Sequence, residues 1–429
     1  MSTAPDPGLT PVRLILANGV TTLVQRTRTH PAVTLALTVP AGTACDPPDW
    51  TGLAHFVSRV IDRGTALRSS TAISEALDDR GVSLNTGVNR HLFALNCSCL
   101  ADDAPALIDL VAEILRDPIF PPREIETRRA EIVTAIRQDD DNPANVATDA
   151  LLELLYAGHP YGRRLRGSVD SVQAVTRQDL VEFHRRRFGP AGTAIAIVGD
   201  IDPKRAADLV ERAFGAWPRG VAEDVRVPMH AGPGRRQRHV IPMMDKAQAD
   251  IAYGFAGLRR QDPQYYAALL MNNVLGQYGL GGRLGDSIRE RQGMAYYAYS
   301  SLEPDVAAGL LTIRAGVAGD NVDRAVASID AEVARMQRDG ITPAELADAR
   351  RYLVGSMPRL LETNDGIATF LLTAEHFALG LDFGCRLPAL LEAVTLEEVN
   401  EVAAGLLRTE HASIAIAGPY ADKPAGLAA

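Results

Sequence analysis

The chain has 429 residues, 46% hydrophobic and 23% charged, with 36 Gly, 26 Pro and 4 Cys. That length exceeds one ordinary core and implies two to three domains. A formal charge of −9 and a sequence pI near 5.6 exclude a polyanion as the main partner, since phosphate binding needs clustered cations.

Four scattered cysteines, Cys45, Cys97, Cys99 and Cys385, are too few for a disulfide framework. No stretch approaches about 18 uninterrupted apolar residues, and residues 1–11 carry no basic segment leading into an apolar one. The expectation is a soluble, cytoplasmic protein with neither a nucleic-acid nor a membrane partner.

In chain order, residues 12–24 and 33–39 are β-branched runs parted by a polar turn, read as a hairpin or neighbouring strands. An amphipathic helix follows: Leu53, Phe56, Val57, Val60 and Ile61 fall at i, i+3, i+4, i+7 and i+8, and Gly64 supplies a stop. At about 100° per residue, His55, Ser58, Arg59 and Asp62 share the opposite, polar stripe. By itself this stripe reads as a surface histidine beside an Arg59/Asp62 helix pair. It also reads as a metal-binding helix of the H-x-x-E-H type with its chemistry removed. Such a helix aims two histidines at one Zn²⁺ and uses a glutamate to polarise bound water. Here the three positions hold His55, Ser58 and Arg59.

Residues 69–80 read as a helix and residues 82–100 as two strands around Asn85. Within Phe93-Ala94-Leu95-Asn96-Cys97, strict alternation puts Cys97 and Cys99 on one strand face, as core residues rather than ligands. Residues 105–116 form a helix opened by Pro105, and Pro121-Pro122 opens the helix that holds Ala135. A helix at 146–156 ends at Gly158-His159-Pro160-Tyr161-Gly162, where His159 reads as a loop residue. The runs Arg185-Arg186-Arg187 and Arg235-Arg236-Gln237-Arg238 read as solvated faces or linker.

An internal repeat divides the chain. Val175-Thr176-Arg177-Gln178-Asp179-Leu180 matches Val394-Thr395-Leu396-Glu397-Glu398-Val399, and Thr193-Ala194-Ile195-Ala196-Ile197-Val198-Gly199 matches Ala412-Ser413-Ile414-Ala415-Ile416-Ala417-Gly418. Both pairs are offset by 219 residues (394 − 175 and 412 − 193), so each half ends with a helix feeding a strand. Residues 217–244, rich in Pro, Gly and Arg, make the join. The expected domains are 1–218, a linker at 219–244, and 245–429. Strands and helices that do not alternate strictly indicate an α+β fold, a mostly antiparallel sheet with helices packed on one face, twice over.

In the second half, Gly276-Gln277-Tyr278-Gly279-Leu280-Gly281-Gly282 lacks a Gly-Lys-Ser/Thr ending and follows a helical pattern, which excludes a phosphate loop. Beyond it run Ile288-Arg289-Glu290-Arg291-Gln292-Gly293-Met294-Ala295-Tyr296, with Arg289 and Tyr296 seven residues apart. Read alone, these two are an ordinary helix-end arginine and a strand tyrosine packing in the core.

Leu16-Ala17-Asn18-Gly19-Val20, Ala41-Gly42-Thr43, Gly52-Leu53-Ala54-His55-Phe56, Arg63-Gly64-Thr65 and Leu84-Asn85 resemble, in order and spacing, the insulinase/pitrilysin family of inverted-motif zinc peptidases. The resemblance covers nearly the whole chain and implies two tandem homologous domains that form half of a clam-shell chamber. It also implies a third zinc ligand, a Glu 76 residues beyond the second His; that position is Ala135, followed by Asp141-Asn142-Pro143 as in the family. Of four metal and proton positions only His55 remains, so the chain is expected to hold no metal. The family further implies that an Arg and a Tyr in the second half reach into the active site of the opposite unit, and Arg289 and Tyr296 stand at that spacing. The reading is a non-catalytic, substrate-binding subunit of a heterodimeric zinc endopeptidase acting on unfolded or leader peptides. Its partner is a zinc-bearing homologous subunit, and the chain is not an enzyme by itself. The alternative is a purely structural scaffold. A peptidase rebuilt on Cys or other His residues has no spacing to support it.

Overall fold

The computed structural model describes residues 9–219, 227–230, 232–277 and 282–422. The start of the 1–11 segment, part of the 217–244 join and residues 278–281 of the glycine-rich stretch lie outside the described residues.

The first sheet contains β1 (Val12–Ile15), β2 (Thr21–Arg26), β3 (Ala32–Val39), β4 (Asn85–Val88), β5 (Phe93–Leu100) and β6 (Ala194–Gly199) in the order β1-β2-β6-β3-β5-β4. All its pairings are antiparallel except β2 with β6. Its half of the sequence also supplies α1 (Leu53–Val60), α2 (Ser70–Asp78), α3 (Ala104–Arg116), α4 (Pro122–Asp140), α5 (Pro143–Leu155), α6 (Val169–Ala174), α7 (Arg177–Arg187) and α8 (Pro203–Phe214). The second sheet contains β7 (Gln237–Pro242), β8 (Ala249–Gly257), β9 (Ala295–Glu303), β10 (Gly309–Val317) and β11 (Ser413–Gly418) in the order β7-β11-β8-β10-β9, again with one parallel pair, β7 with β11. With it come α9 (Tyr265–Asn272), α10 (Val322–Asp339), α11 (Pro343–Leu360), α12 (Asn364–His376), α13 (Phe383–Ala393) and α14 (Leu396–Leu406). This is the expected α+β architecture in two tandem copies.

The repeat keeps its register in three dimensions. α7 and α14 open with the same device, a capping box of Thr176 with Asp179 and of Thr395 with Glu398. The strands that follow, β6 and β11, both end on a glycine in positive φ, Gly199 at 148° and Gly418 at 141°. An added Cβ would lie 2.1 Å from the Ala32 carbonyl oxygen at the first and 2.4 Å from Ala249 Cα at the second, so each glycine allows a neighbouring strand to close in.

Alternation explains the layers. The Ile side of β6, Ile195 and Ile197, joins Leu35, Leu37, Phe56, Val57 and Val111 in the main core of the first sheet. The small side, Ala194 and Ala196 with Ala36, packs instead against Ile367, Ala368, Leu371 and Leu372 of α12. In the second sheet Ile414 and Ile416 face the main core, while Ala415, Ala417 and Ala252 pack against Ala147, Leu151 and Leu155 of α5. Each sheet thus receives, on the face away from its main core, one helix from the other half of the sequence, so helices cover both faces and not the one face that the sequence reading expected. The compact units are therefore not the linear halves: one joins the residues up to Ile136 and Arg164–Arg226 with Ser356–Arg386, and the other joins Arg137–Arg163 and Val227–Gly355 with Leu387 onward.

Two local readings change. Asn85 opens β4 instead of separating two strands, because the turn falls later, where Asn89 Oδ1 accepts from the His91 and Leu92 amides. Residues 219–244 are not all linker, since Gln237–Pro242 forms β7 alongside β11. Two of its arginines are engaged: Arg236 binds Asp330 at 2.8 Å and Arg238 binds Asp422 at 3.1 Å.

Candidate functional site

Helix α1 is short and starts at Gly52, whose φ of 89° suits glycine. Asp46 secures this start by accepting from the Gly52 and Ala54 amides, both at 2.8 Å. The apolar arc is buried as its periodicity predicts. The opposite stripe is not a solvated face: Ser58 is fully buried, Asp62 is 8% exposed and His55 is half-buried. β4 covers it, and Thr86 Oγ1 donates to the Ser58 carbonyl at 2.7 Å.

The three motif positions do not assemble a metal site. Ser58 Oγ turns back to donate to the His55 carbonyl at 2.7 Å, a local bond that occupies the hydroxyl. Arg59 reaches α4, where its Nη2 lies 3.8 Å from Glu131 Oε2. Ala135, one turn further along α4, offers no ligand atom. Asp62 pairs with Arg63 at 3.1 Å; burial pushes its carboxyl above the usual range, and the positive charges of Arg63, Arg128 and Arg59 oppose that rise. Among the described residues no group of three or more His, Cys, Asp or Glu is arranged to hold a metal ion. A zinc ion does not fit what stands here.

The remaining candidates resolve as structure. Cys97 and Cys99 are buried on one face of β5, and burial pushes their thiols up to about 12 and about 11. His159 is 5% exposed; its Nδ1 accepts from the Tyr161 amide at 3.1 Å and its Nε2 lies 2.8 Å from the Pro228 carbonyl oxygen.

Arg289 lies in a wide helical turn, Gly285–Arg291, and its guanidinium is held by Glu290 at 2.6 and 3.0 Å. Tyr296 sits near the start of β9, the edge strand of its sheet, and is 86% exposed. The reading of Tyr296 as an ordinary core tyrosine is thereby excluded. A guanidinium can grip a carbonyl or carboxylate in fixed geometry, and an exposed phenol can donate to a developing oxyanion.

A family model described as insulinase (peptidase family M16) matches residues 21–169, and one described as the peptidase M16 inactive domain matches residues 174–353. This chain belongs to the insulinase family, peptidase family M16. Among its M16 relatives, an uncharacterized zinc protease of Mycobacterium tuberculosis is 29% identical, over 98% of this chain and 95% of its own length. One of Bacillus subtilis is 26% identical, over 96% and 99%. An Arabidopsis thaliana protein named as a probable mitochondrial-processing peptidase subunit beta is 24% identical, over 95% and 78%. The crystal structure of a peptidase M16 inactive domain from Pseudomonas fluorescens superimposes with a TM-score of 0.89 at 25% identity, covering 97% of this chain and all of that one. The chain is a peptidase-like homologue. No helix among the described residues is long and apolar enough to cross a membrane.

Sequence reasoning missed Glu131, whose pairing with Arg59 ties α1 to α4, although its place one turn before Ala135 was a usable signal. It also missed the hydrogen bond that Tyr297, next to Tyr296, donates to Asp250.

Proposed function

We propose that this chain is the non-catalytic, substrate-binding subunit of a heterodimeric zinc endopeptidase, acting on unfolded or leader peptides in the cytoplasm. Its partner is a homologous subunit with an intact H-x-x-E-H helix, which holds the zinc. Arg289 grips the peptide, and Tyr296 donates to the oxyanion formed as water attacks in the partner's site. The observation that carries this reading is an 86% exposed Tyr296, seven residues after Arg289, together with a first half that has Ser58, Arg59 and Ala135 at the motif positions.

The test is reconstitution with the zinc-bearing homologue from the same genome. The two chains should co-elute, with an interface of at least about 1,000 Å² as stable pairs need, and cleavage of an unfolded peptide should require both. A chain that stays monomeric beside that partner, or a partner fully active alone, would overturn the proposal and leave a scaffold.

A further inference from the structure

Tyr296 is exposed because β9 is locally out of register with β10. Tyr297 faces Gly316 and Ala295 faces Val317, so Tyr296 is the extra residue of a β-bulge. Bulges re-aim side chains by leaving one residue unpaired.

The next residue anchors the bulge. Tyr297 donates its hydroxyl to Asp250 on β8, the strand on the far side of β10, where Asp250 faces the same Gly316. The Tyr297 ring therefore crosses β10 at Gly316. A Cβ there would lie 2.6 Å from Tyr297 Cε1 and 2.3 Å from Gln248 Nε2, so only glycine leaves the path open. Asp250 is 5% exposed, and Gln248 Nε2 lies 3.4 Å from its other oxygen. Burial, with Asp250 as acceptor, raises the Tyr297 phenol above its ordinary value, so it remains a donor through the neutral range.

We infer that Asp250, Tyr297 and Gly316 are positioning residues that lock the β9 bulge and thereby hold Tyr296 out from the sheet, toward a bound peptide. The peptide's place rests on the function proposed above; the lock itself does not. Without the lock, a one-residue slip restores regular pairing and turns Tyr296 to the other face.

Two near-isosteric variants, Tyr297→Phe and Asp250→Asn, test this in the full chain, with thermal unfolding as a check on folding. Loss of a hydrogen bond to a buried carboxylate should speed hydrogen exchange at the amides of residues 296–297 and 316–317 by about tenfold or more. Nitration of Tyr296 by tetranitromethane, mapped by mass spectrometry, should slow as its exposure falls. Unchanged exchange and nitration in both variants would overturn the inference.

In the reconstituted complex, Tyr297→Phe should lower kcat with KM nearly kept, and should add nothing to Tyr296→Phe, because both act through one hydroxyl. Additive losses would show that Tyr297 acts by itself and would also overturn it. If Tyr296→Phe alone leaves cleavage unchanged, the subunit reading fails, while exchange and nitration still decide the lock.

Discussion

Arg59, at the position that the sequence reading assigns to a metal helix's second histidine, reaches across to Glu131 on α4. An ion pair thus spans the two helices that a metal ion would otherwise join. Both side chains are about 40% exposed, at 41% and 44%, so Arg59→Ala should change unfolding free energy by less than about 1 kcal/mol in denaturant titration. A loss of several kcal/mol would mean that the pair has become the structural substitute for the metal. Restoring Ser58→Glu, Arg59→His and Ala135→Glu together should create a site that retains zinc through dialysis, whereas the parent chain retains none. Zinc bound to the parent and lost in His55→Ala would contradict this assignment. Ser58, Arg59 and Ala135 could be singled out because they occupy fixed spacings from His55. The burial of Ser58 was not, because it comes from β4, a strand that no local period can place beside α1.

At the scale of elements, the Ala-Ile alternation of β6 and β11 contains more than a strand assignment. The isoleucines mark the main core, and the alanines mark a face shallow enough for a helix from the other half. The repeat and both strands were visible in the sequence. Which helix would cover the alanine faces was not, since α5 and α12 carry apolar stripes that fit either sheet. Leu371→Ala in α12 and Leu151→Ala in α5 remove fully buried side chains from these contacts, and each should cost about 2–5 kcal/mol. Costs below about 1 kcal/mol in chemical denaturation would show the exchanged helices to be loosely docked. Helix α7 adds a pH dependence. His184 lies against Phe188 with ring centroids 4.9 Å apart, its Nε2 is 2.8 Å from the Leu115 carbonyl oxygen, and burial lowers its pKa below the ordinary 6.5. A depressed folded pKa means that its stabilising share is fully present above 6.5 and is lost as pH falls toward the folded value. Stability should therefore decline on acidification through this window, and His184→Gln should flatten that slope; an unchanged slope would assign it to other groups.

Neither half of the molecule is sufficient for peptide cleavage on the mechanism proposed. On that proposal the first half contributes no zinc site and the second contributes Arg289 and Tyr296, which hold and polarise, so cleavage would need a complex. Arg289 and Tyr296 then have separable tasks. A guanidinium that grips the bound peptide acts in the ground state and the transition state alike, so Arg289→Ala should raise KM and lower kcat together. The Tyr296 hydroxyl meets its strongest acceptor only when the carbonyl oxygen becomes an oxyanion. Tyr296→Phe should therefore cut kcat by about 10²–10³-fold, the usual loss for one oxyanion donor, with a smaller change in KM. Both variants should leave dimer affinity intact, because Tyr296 projects from a bulge and Arg289 is held within its own segment by Glu290. Steady-state cleavage of an unfolded peptide by the reconstituted pair, with affinity measured in parallel, separates these cases. Equal kinetics in parent and both variants would reduce the pair to surface residues and make this chain a scaffold for its partner.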